Sequence, residues 1–533
     1  AGISHWKYGR FELYRVNPPL IRLLAVLPVL FTETKYDWTE FYERPGARPV
    51  FILGKQFVTI NGEQSIWLFT LARWAILPLS LLGGIYCYKW AQELYGVSSG
   101  LLAITFWVFS PNILAHAQFI TPDCGATSLG LISAYYFRKW LQSLTWKSAL
   151  LAGLTLGLAE LTKTTWIVLF GLYPAIWFLS CFNSTIKKPK TAQLSQLMTI
   201  LVLGVYLLNL GYAFEGSFTP LKKFEFVSQS FTGADKSDSD SRSSANRFAE
   251  SWLGNIPVPL PKNYLLGIDI QKQDFEDFGS ESYLQGKFQT KGWWYYYLYA
   301  LVIKVPLGYW LIFVLATAGM LLKKIPTMSR IDFLVLISIP GSILILASSQ
   351  TGFNHHMRYI LPIFPFAFIW MSSVVSWRNE TPKARSFSTV AVTLLTLWAI
   401  LSSLTIYPHS LSYFNELVGG PRNGHKHLIH SNIDWGQDLL YLKNWINEHP
   451  EAKPMHLCYY SYVDPKALGL DYPLPPANKE CDPDFTPPPG WYAISVNYLH
   501  GYKFMYDKDA FSYFQKYQPV STAGYSIYIY RID

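Results

Sequence analysis

The sequence predicts a mainly α protein: a polytopic bundle of transmembrane helices with a small α/β unit at its C-terminal end. Three observations predict it. The 533 residues are 50% hydrophobic and 17% aromatic but only 15% charged, well below the roughly 25% charge of an average soluble domain. The apolar residues fall in blocks near the roughly 20 residues a membrane helix needs, not in the stripes of a half-buried helix or strand. The basic residues gather in the short loops between blocks. The 20 Trp and 36 Tyr fit the same solvent, since their rings favour the headgroup region.

The blocks that qualify as spans are Ile66–Tyr88, Ser99–Ala115, Thr121–Phe137, Ser148–Thr162, Lys163–Phe182, Leu194–Phe214, Trp293–Leu322, Ile331–Ala347, Arg358–Ser376 and Phe387–Tyr407, about ten in all. Splitting Ser148–Phe182 in two is supported by Glu160, Lys163 and the Thr-rich turn that interrupt it. It is supported again by loop charge. With the split, Lys89, Arg138/Lys139/Lys147, Lys187/Lys188/Lys190, Lys323/Lys324/Arg330 and Arg378/Lys383/Arg385 share one face, which the positive-inside rule makes cytoplasmic. Residues 1–65, the acidic loop Ala213–Lys291 and the tail 408–533 then lie outside, flanking a membrane domain over 66–407. The sequons at Asn183 and Asn379 fall in cytoplasmic loops and read as chance matches.

Outside the spans, Phe11–Leu30 carries Arg15, Arg22 and Pro18-Pro19, which is too polar and broken to cross; an interfacial position is expected. Phe231–Arg247 is too polar to bury anything and reads as a mobile outer loop, a tether before a lid. In the tail, Trp435–His449 suits an amphipathic helix, and Met455–Tyr460, Trp491–Asn497 and Tyr525–Arg531 have strand composition. Pro473–Gly490 is Pro-rich and extended. Cys458 and Cys481 could pair in an oxidising compartment.

The formal charge of +9 does not indicate nucleic acid, because the basic residues set orientation and form no continuous phosphate-binding face. Walker loops, dinucleotide glycine fingerprints, Ser/His/Asp patterns and CxxC pairs are lacking. What remains is ionisable groups at one membrane face, which are functional suspects because burying them is costly. Asp123 opens one span and His116 precedes it; Lys163 and Arg358 open two others, the latter after His355-His356. Arg and Lys at that depth suit a lipid phosphate, and a carboxylate suits activation of an acceptor hydroxyl. A helix-capping Asp123 and snorkelling cations are the bland alternative. Lys304, deeper in its span, could pair with Glu160 or serve substrate. His355-His356 with a carboxylate could hold a divalent metal. Asn432-Ile433-Asp434-Trp435-Gly436-Gln437-Asp438 reads as a polar loop and helix cap.

The order Tyr14-Arg15-Val16-Asn17-Pro18-Pro19-Leu20, Ser110-Pro111-Asn112 with Ile120-Thr121-Pro122-Asp123, Gly157-Leu158-Ala159-Glu160-Leu161-Thr162-Lys163, and Arg358-Tyr359-Ile360-Leu361-Pro362 resembles the protein O-mannosyltransferase and aminoarabinose transferase superfamily of GT-C membrane glycosyltransferases. Gly211-Tyr212-Ala213-Phe214-Glu215-Gly216, Gly292-Trp293-Trp294-Tyr295-Tyr296-Tyr297, Asn354-His355-His356-Met357-Arg358-Tyr359 and Asp434-Trp435-Gly436-Gln437-Asp438 resemble a bacterial branch that uses phospholipid-carried sugars and carries an outer C-terminal domain. The resemblance implies a bacterial inner-membrane enzyme that moves a sugar from a polyprenyl-phosphate lipid to a protein or lipid hydroxyl. It implies Asp123 as the second-loop acidic residue and Lys163 and Arg358 on the donor phosphate, where Lys304 is a further candidate by its depth in its span. It adds Asn17, His355, His356, Asp434 and Gln437 as substrate contacts. An acidic Asp-Glu motif is expected just ahead of Ala1. Asn17 and Val16 stand where the aminoarabinose transferases have a lysine and a metal-binding glutamate, so metal use is open. Two other readings remain: an inactive membrane subunit of a larger complex, and a transporter, for which matched halves with broken helices are not evident.

Overall fold

Each apolar block becomes helical in the computed structural model, which describes all residues except 182–189, 234–244, 277–280, 378–380, 462, 479–481, 483 and 503–508, and describes 384–385 by their backbone alone. The sequons, Cys481, Lys187, Lys188, Arg378 and most of the Phe231–Arg247 loop lie outside the described residues, as does the Cys458–Cys481 pairing.

Not every block becomes a single long apolar helix. Among the described residues, six helices are long and apolar enough to cross a membrane: Gln64–Tyr95, Thr164–Cys181, Lys190–Gly211, Arg330–Ser349, Met357–Ser376 and Ser386–Leu404. Up to eight qualify if two bent pairs each count as one span: Val97–Phe109 with Pro111–Ala117, bent by 61°, and Tyr296–Lys304 with Leu307–Leu321, bent by 109°. Pro111 and Pro306 sit at the breaks, where proline cannot donate the helical hydrogen bond. The two remaining blocks form the helices Pro122–Ser143 and Trp146–Glu160. The first is surrounded by protein on nearly every side, so its sequence carries Gly, Ser and Thr for close packing instead of lipid-facing bulk. The second, at 15 residues, is shorter than a bilayer core. These helices make the chain an integral membrane protein.

Close approach is built from small residues. A Cβ on Gly157 would lie 2.5 Å from the Leu207 Cβ, and one on Gly130 would lie 1.7 Å from an atom of the Trp166 ring. Trp146–Glu160 therefore packs flush on Lys190–Gly211, and Trp166 lies flat on Pro122–Ser143, where its indole N–H donates to the Ala126 carbonyl at 3.0 Å. At one end of the bundle Arg138 bonds Asp332 and reaches Glu93 at 2.7 Å, with Lys139 on Glu93 at 2.9 Å. That network ties together three of the basic connections read from the sequence. At the other end lie Asp123, Lys163, Arg358 and the tail.

The segment read as interfacial forms short helices at Leu20–Val26 and Pro28–Phe31 that pack against Gln64–Tyr95. Helices at Val50–Asn61 and Lys262–Glu276 add to that end. A hairpin of β1 (Ser282–Leu284) and β2 (Lys287–Gln289) follows. In the tail, β3 (Met455–Cys458), β4 (Gly490–Ser495), β5 (Ser521–Ala523) and β6 (Ile527–Ile532) form one sheet in the order β3-β4-β6-β5. β3 and β4 run parallel and the other pairs antiparallel, with Tyr492 opposite Tyr530. The helix Asp438–Glu448 lays Leu439 and Leu442 on this sheet beside Leu457, Ala493 and Ile529. The expected helix and three strands are therefore present within a few residues; β5 and the β1–β2 hairpin are additional.

Candidate active site

Three separate breaks in helical structure bring three charges together. Pro122 opens the helix that carries Asp123 in its first turn, a position where proline's missing N–H costs nothing. Lys163 sits in extended conformation (φ −154°, ψ 134°) where the helix ending at Glu160 gives way to Thr164–Val168. Arg358 stands near the start of the 3-10 segment Met357–Ile363, which contains Pro362. The Lys163 ammonium donates to Asp123 Oδ1 at 2.7 Å, and Arg358 Nε lies 3.7 Å from Asp123 Oδ2. Asp123 is 2% exposed. Its carboxylate makes these ion pairs, and the residue that caps its helix, Thr121, makes no side-chain cap. Both cations also face Tyr359, with Lys163 Nζ 4.9 Å and the Arg358 guanidinium carbon 5.6 Å from the ring centre.

The tail closes over this cluster. Asn432 is the joint: its side-chain oxygen accepts from the Met357 backbone N–H at 3.0 Å, and its Nδ2 donates to the His355 carbonyl at 2.9 Å. Two residues on, Asp434 is buried, and so is Asp438. Asp434 Oδ2 accepts from Tyr459 and Ser526 hydroxyls at 2.6 and 2.8 Å, and its Oδ1 from the Gly436 N–H at 2.9 Å. Asp438 Oδ2 accepts the backbone N–H groups of Tyr525 and Ser526, both at 3.0 Å. Burial, and then the neighbouring Asp438 charge, push the Asp434 carboxyl up to about 7 against the opposing pull of its hydrogen bonds. Gln437 does not reach the cluster; its amide spans the loop, accepting from the Trp435 backbone N–H at 2.7 Å and donating to the Ile433 carbonyl at 3.0 Å. This folding presents Trp435, whose ring centre lies 3.8 Å from the Arg358 guanidinium carbon.

The other residues singled out from sequence are placed as follows. Lys304 is not paired with Glu160. The 109° bend turns its ammonium to the carbonyls of Leu411 and Asn432, at 2.8 and 2.5 Å, with Phe414 beneath it. Glu160 instead accepts from the Tyr264 hydroxyl at 3.0 Å. Asn17 donates to Tyr14 at 2.7 Å in a loop tied back by Leu20 N–H to the Leu161 carbonyl at 3.0 Å, so it lies on the Lys163 side of the bundle. His355 and His356 are buried beside His430, with ring centres 5.7 and 4.9 Å from it. His356 Nδ1 is engaged by the Ser431 hydroxyl and His430 Nε2 by the Tyr460 hydroxyl. Among the described residues no three or more His, Cys, Asp or Glu converge as metal ligands.

Two further residues border the cluster, the first read from the sequence only as part of the Asp434–Asp438 motif. Trp435 is one; Arg73 is the other, with its guanidinium 5.7 Å from the Phe119 ring, which in turn meets Trp435 edge-on at 5.8 Å. Both depend on contacts between residues far apart in the chain. An apolar cavity of about 350 Å³ opens among Val26, Leu53, Phe57, Leu68 and Ile120, three residues ahead of Asp123 in the chain, with Arg22 and Asp37 on its wall.

Two solved structures are similar to this chain. One is ArnT from Cupriavidus metallidurans in the apo state, with 13% identity over 99% of this chain and 91% of that one and a TM-score of 0.46. The other is the same protein bound to undecaprenyl phosphate, with 13% identity over 97% and 88% and a TM-score of 0.45. No curated protein matches the sequence. Residues 57–207, which hold Asp123 and Lys163, match the family described as dolichyl-phosphate-mannose-protein mannosyltransferase. That segment holds the motifs at 120–123 and 157–163 on which the resemblance read from the sequence partly rests.

Proposed function

We propose that the chain transfers a sugar from a polyprenyl-phosphate-linked donor to the hydroxyl of a protein or lipid acceptor. The reaction takes place at the outer face of a bacterial inner membrane, with the 66–407 bundle supplying the site and 408–533 covering it from outside. The observation that carries this reading is the convergence of Lys163 and Arg358 on one buried carboxylate. Two cations beside one anion leave a net positive site at the head of a membrane bundle, which suits a lipid phosphate.

In this reading the donor phosphate competes with Asp123 for its two partners. As the phosphate oxygens take Lys163 and Arg358, the Asp123 carboxylate is released to accept the proton of the acceptor hydroxyl. The acceptor oxygen forms its bond to the anomeric carbon from the side opposite the phosphate. The bond from that carbon to the phosphate oxygen breaks, and its electron pair leaves with the polyprenyl phosphate, whose growing charge the two cations stabilise. The configuration inverts. The prenyl chain has an apolar path nearby in the cavity bounded by Val26, Leu53 and Ile120.

Binding of undecaprenyl phosphate to the purified protein, followed by native mass spectrometry, tests this reading before any acceptor is known. Wild type is expected to bind, and Arg358→Ala to bind at least about tenfold more weakly, the loss of one charge-assisted contact. A protein that does not bind the lipid, or that binds it equally well without Arg358, overturns the reading.

A further inference from the structure

Arg358 is stacked more than it is paired. Its guanidinium carbon lies 3.8 Å from the centre of the Trp435 ring, within the range of a strong cation–π contact. A guanidinium covered on its face keeps all its N–H bonds in the plane of its edge. Nε and Nη1 of Arg358 make no hydrogen bond among the described residues, and the 3.7 Å approach of Nε to Asp123 is long for a direct one. The edge is therefore available to a second anion.

Trp435 is itself held in place. Its backbone N–H donates to Gln437 Oε1 at 2.7 Å, and Gly436, at φ 97°, turns the chain so that its own N–H reaches Asp434 at 2.9 Å. The indole then meets Phe119 at 5.8 Å, and Arg73 stands 5.7 Å from the centre of that second ring. A cation, two aromatic rings and a second cation thus follow one another from the membrane helix Gln64–Tyr95 to Arg358. With 36% of its surface exposed, Trp435 is not a core residue that the fold needs for packing.

We infer that Trp435 is a positioning residue that holds the N–H edge of Arg358 toward the phosphate of the donor lipid, so that the tail supplies part of the donor site. The inference rests on the proposed function above. It also accounts for the hydrogen bonding within the loop from Asp434 to Asp438, where both carboxylates and Gln437 fix the backbone that aims one indole.

A double-mutant cycle on lipid binding, with the full-length protein, tests the inference. Trp435→Ala is expected to weaken undecaprenyl phosphate binding by about 2- to 30-fold, and Trp435→Phe to keep most of the affinity. Trp435→Ala with Arg358→Ala is expected to bind no worse than Arg358→Ala alone, because the ring acts through the guanidinium. Undecaprenol, which has the chain without the phosphate, should bind wild type and Trp435→Ala alike. Losses that multiply in the double variant overturn the inference, as does an equal loss for undecaprenol, which would make Trp435 a contact for the chain. Unchanged binding by Trp435→Ala overturns it too. If wild type does not bind undecaprenyl phosphate at all, it is the proposed function that fails.

Discussion

Lys163 and Asp123, 40 positions apart, meet at 2.7 Å with both side chains almost wholly withdrawn from solvent. Each lies where a helix starts or stops, so backbone that cannot continue a helix delivers both charges to one point. A buried pair of this kind stabilises little by itself, since desolvation offsets most of the attraction, but removing one partner strands the other.

The first prediction follows from that asymmetry. Asp123→Asn keeps an acceptor for Lys163 and should leave the fold intact, while sugar transfer from a radiolabelled lipid donor falls by about 100-fold or more. Asp123→Ala should in addition lower stability by about 3 kcal/mol, and Asp123→Ala with Lys163→Met should recover that stability without recovering transfer. Thermal unfolding in detergent and the transfer assay separate the two effects, and unchanged turnover in Asp123→Asn would remove it from the site.

Replacing Arg358 by Lys retains the charge and discards the planar fork. Lysine cannot stack flat on Trp435 or present two parallel N–H bonds to a phosphate. Arg358→Lys should therefore raise the KM for the lipid donor by roughly tenfold, with a smaller change in kcat. A variant with wild-type KM would show that charge alone is used.

Asp434 makes stability depend on pH. Its carboxyl is pushed up from 3.8 to about 7, so the folded chain keeps a proton that the unfolded chain has lost. That contribution is fully present below pH 3.8 and is lost as pH rises through about 7. Asp434→Asn, which cannot ionise, should gain on wild type by roughly 2 kcal/mol between pH 5 and pH 8. The difference in unfolding midpoint between the two proteins across that range is the measurement; a constant difference would mean that Asp434 is ionised throughout.

Gly524 offers a purely structural check on the same loop. At φ 60° a Cβ there would lie 2.2 Å from the Asp438 carboxyl carbon. Gly524→Ala should cost about 1–3 kcal/mol, and by displacing Asp438 it should also disturb the turn that carries Trp435. Quenching of indole fluorescence by acrylamide would then rise along with the loss of stability.

Much of this was legible in the sequence, and the pattern of success has a physical cause. The apolar blocks set the spans because lipid exposure demands bulk along a whole helix, as in Gln64–Tyr95. Protein surrounds Pro122–Ser143, so Gly125, Ser128 and Gly130 there serve packing instead of lipid contact. Asp123, Lys163 and Arg358 stand out because ionisable groups that open membrane spans at one face are costly to bury. Trp435, in a chain with 20 tryptophans, is legible only as part of the Asp434–Asp438 motif, and Asn432 only as part of the polar loop that leads into it. Lys304 and Glu160 do not pair: Pro306 follows a 109° bend there, and the Lys304 ammonium bonds the Leu411 and Asn432 carbonyls instead.

That bend has a consequence for assembly. The Lys304 ammonium has its hydrogen-bond acceptors on Leu411 and Asn432, residues made more than 100 positions later. Until they arrive, a cation waits inside the bundle without partners, at a cost of several kcal/mol. The bundle is thus completed only when the tail has been synthesised and docked. Cut off after Tyr407, the membrane part would be left with an ammonium whose acceptors are missing, an intrinsic mark by which an unfinished chain differs from a finished one.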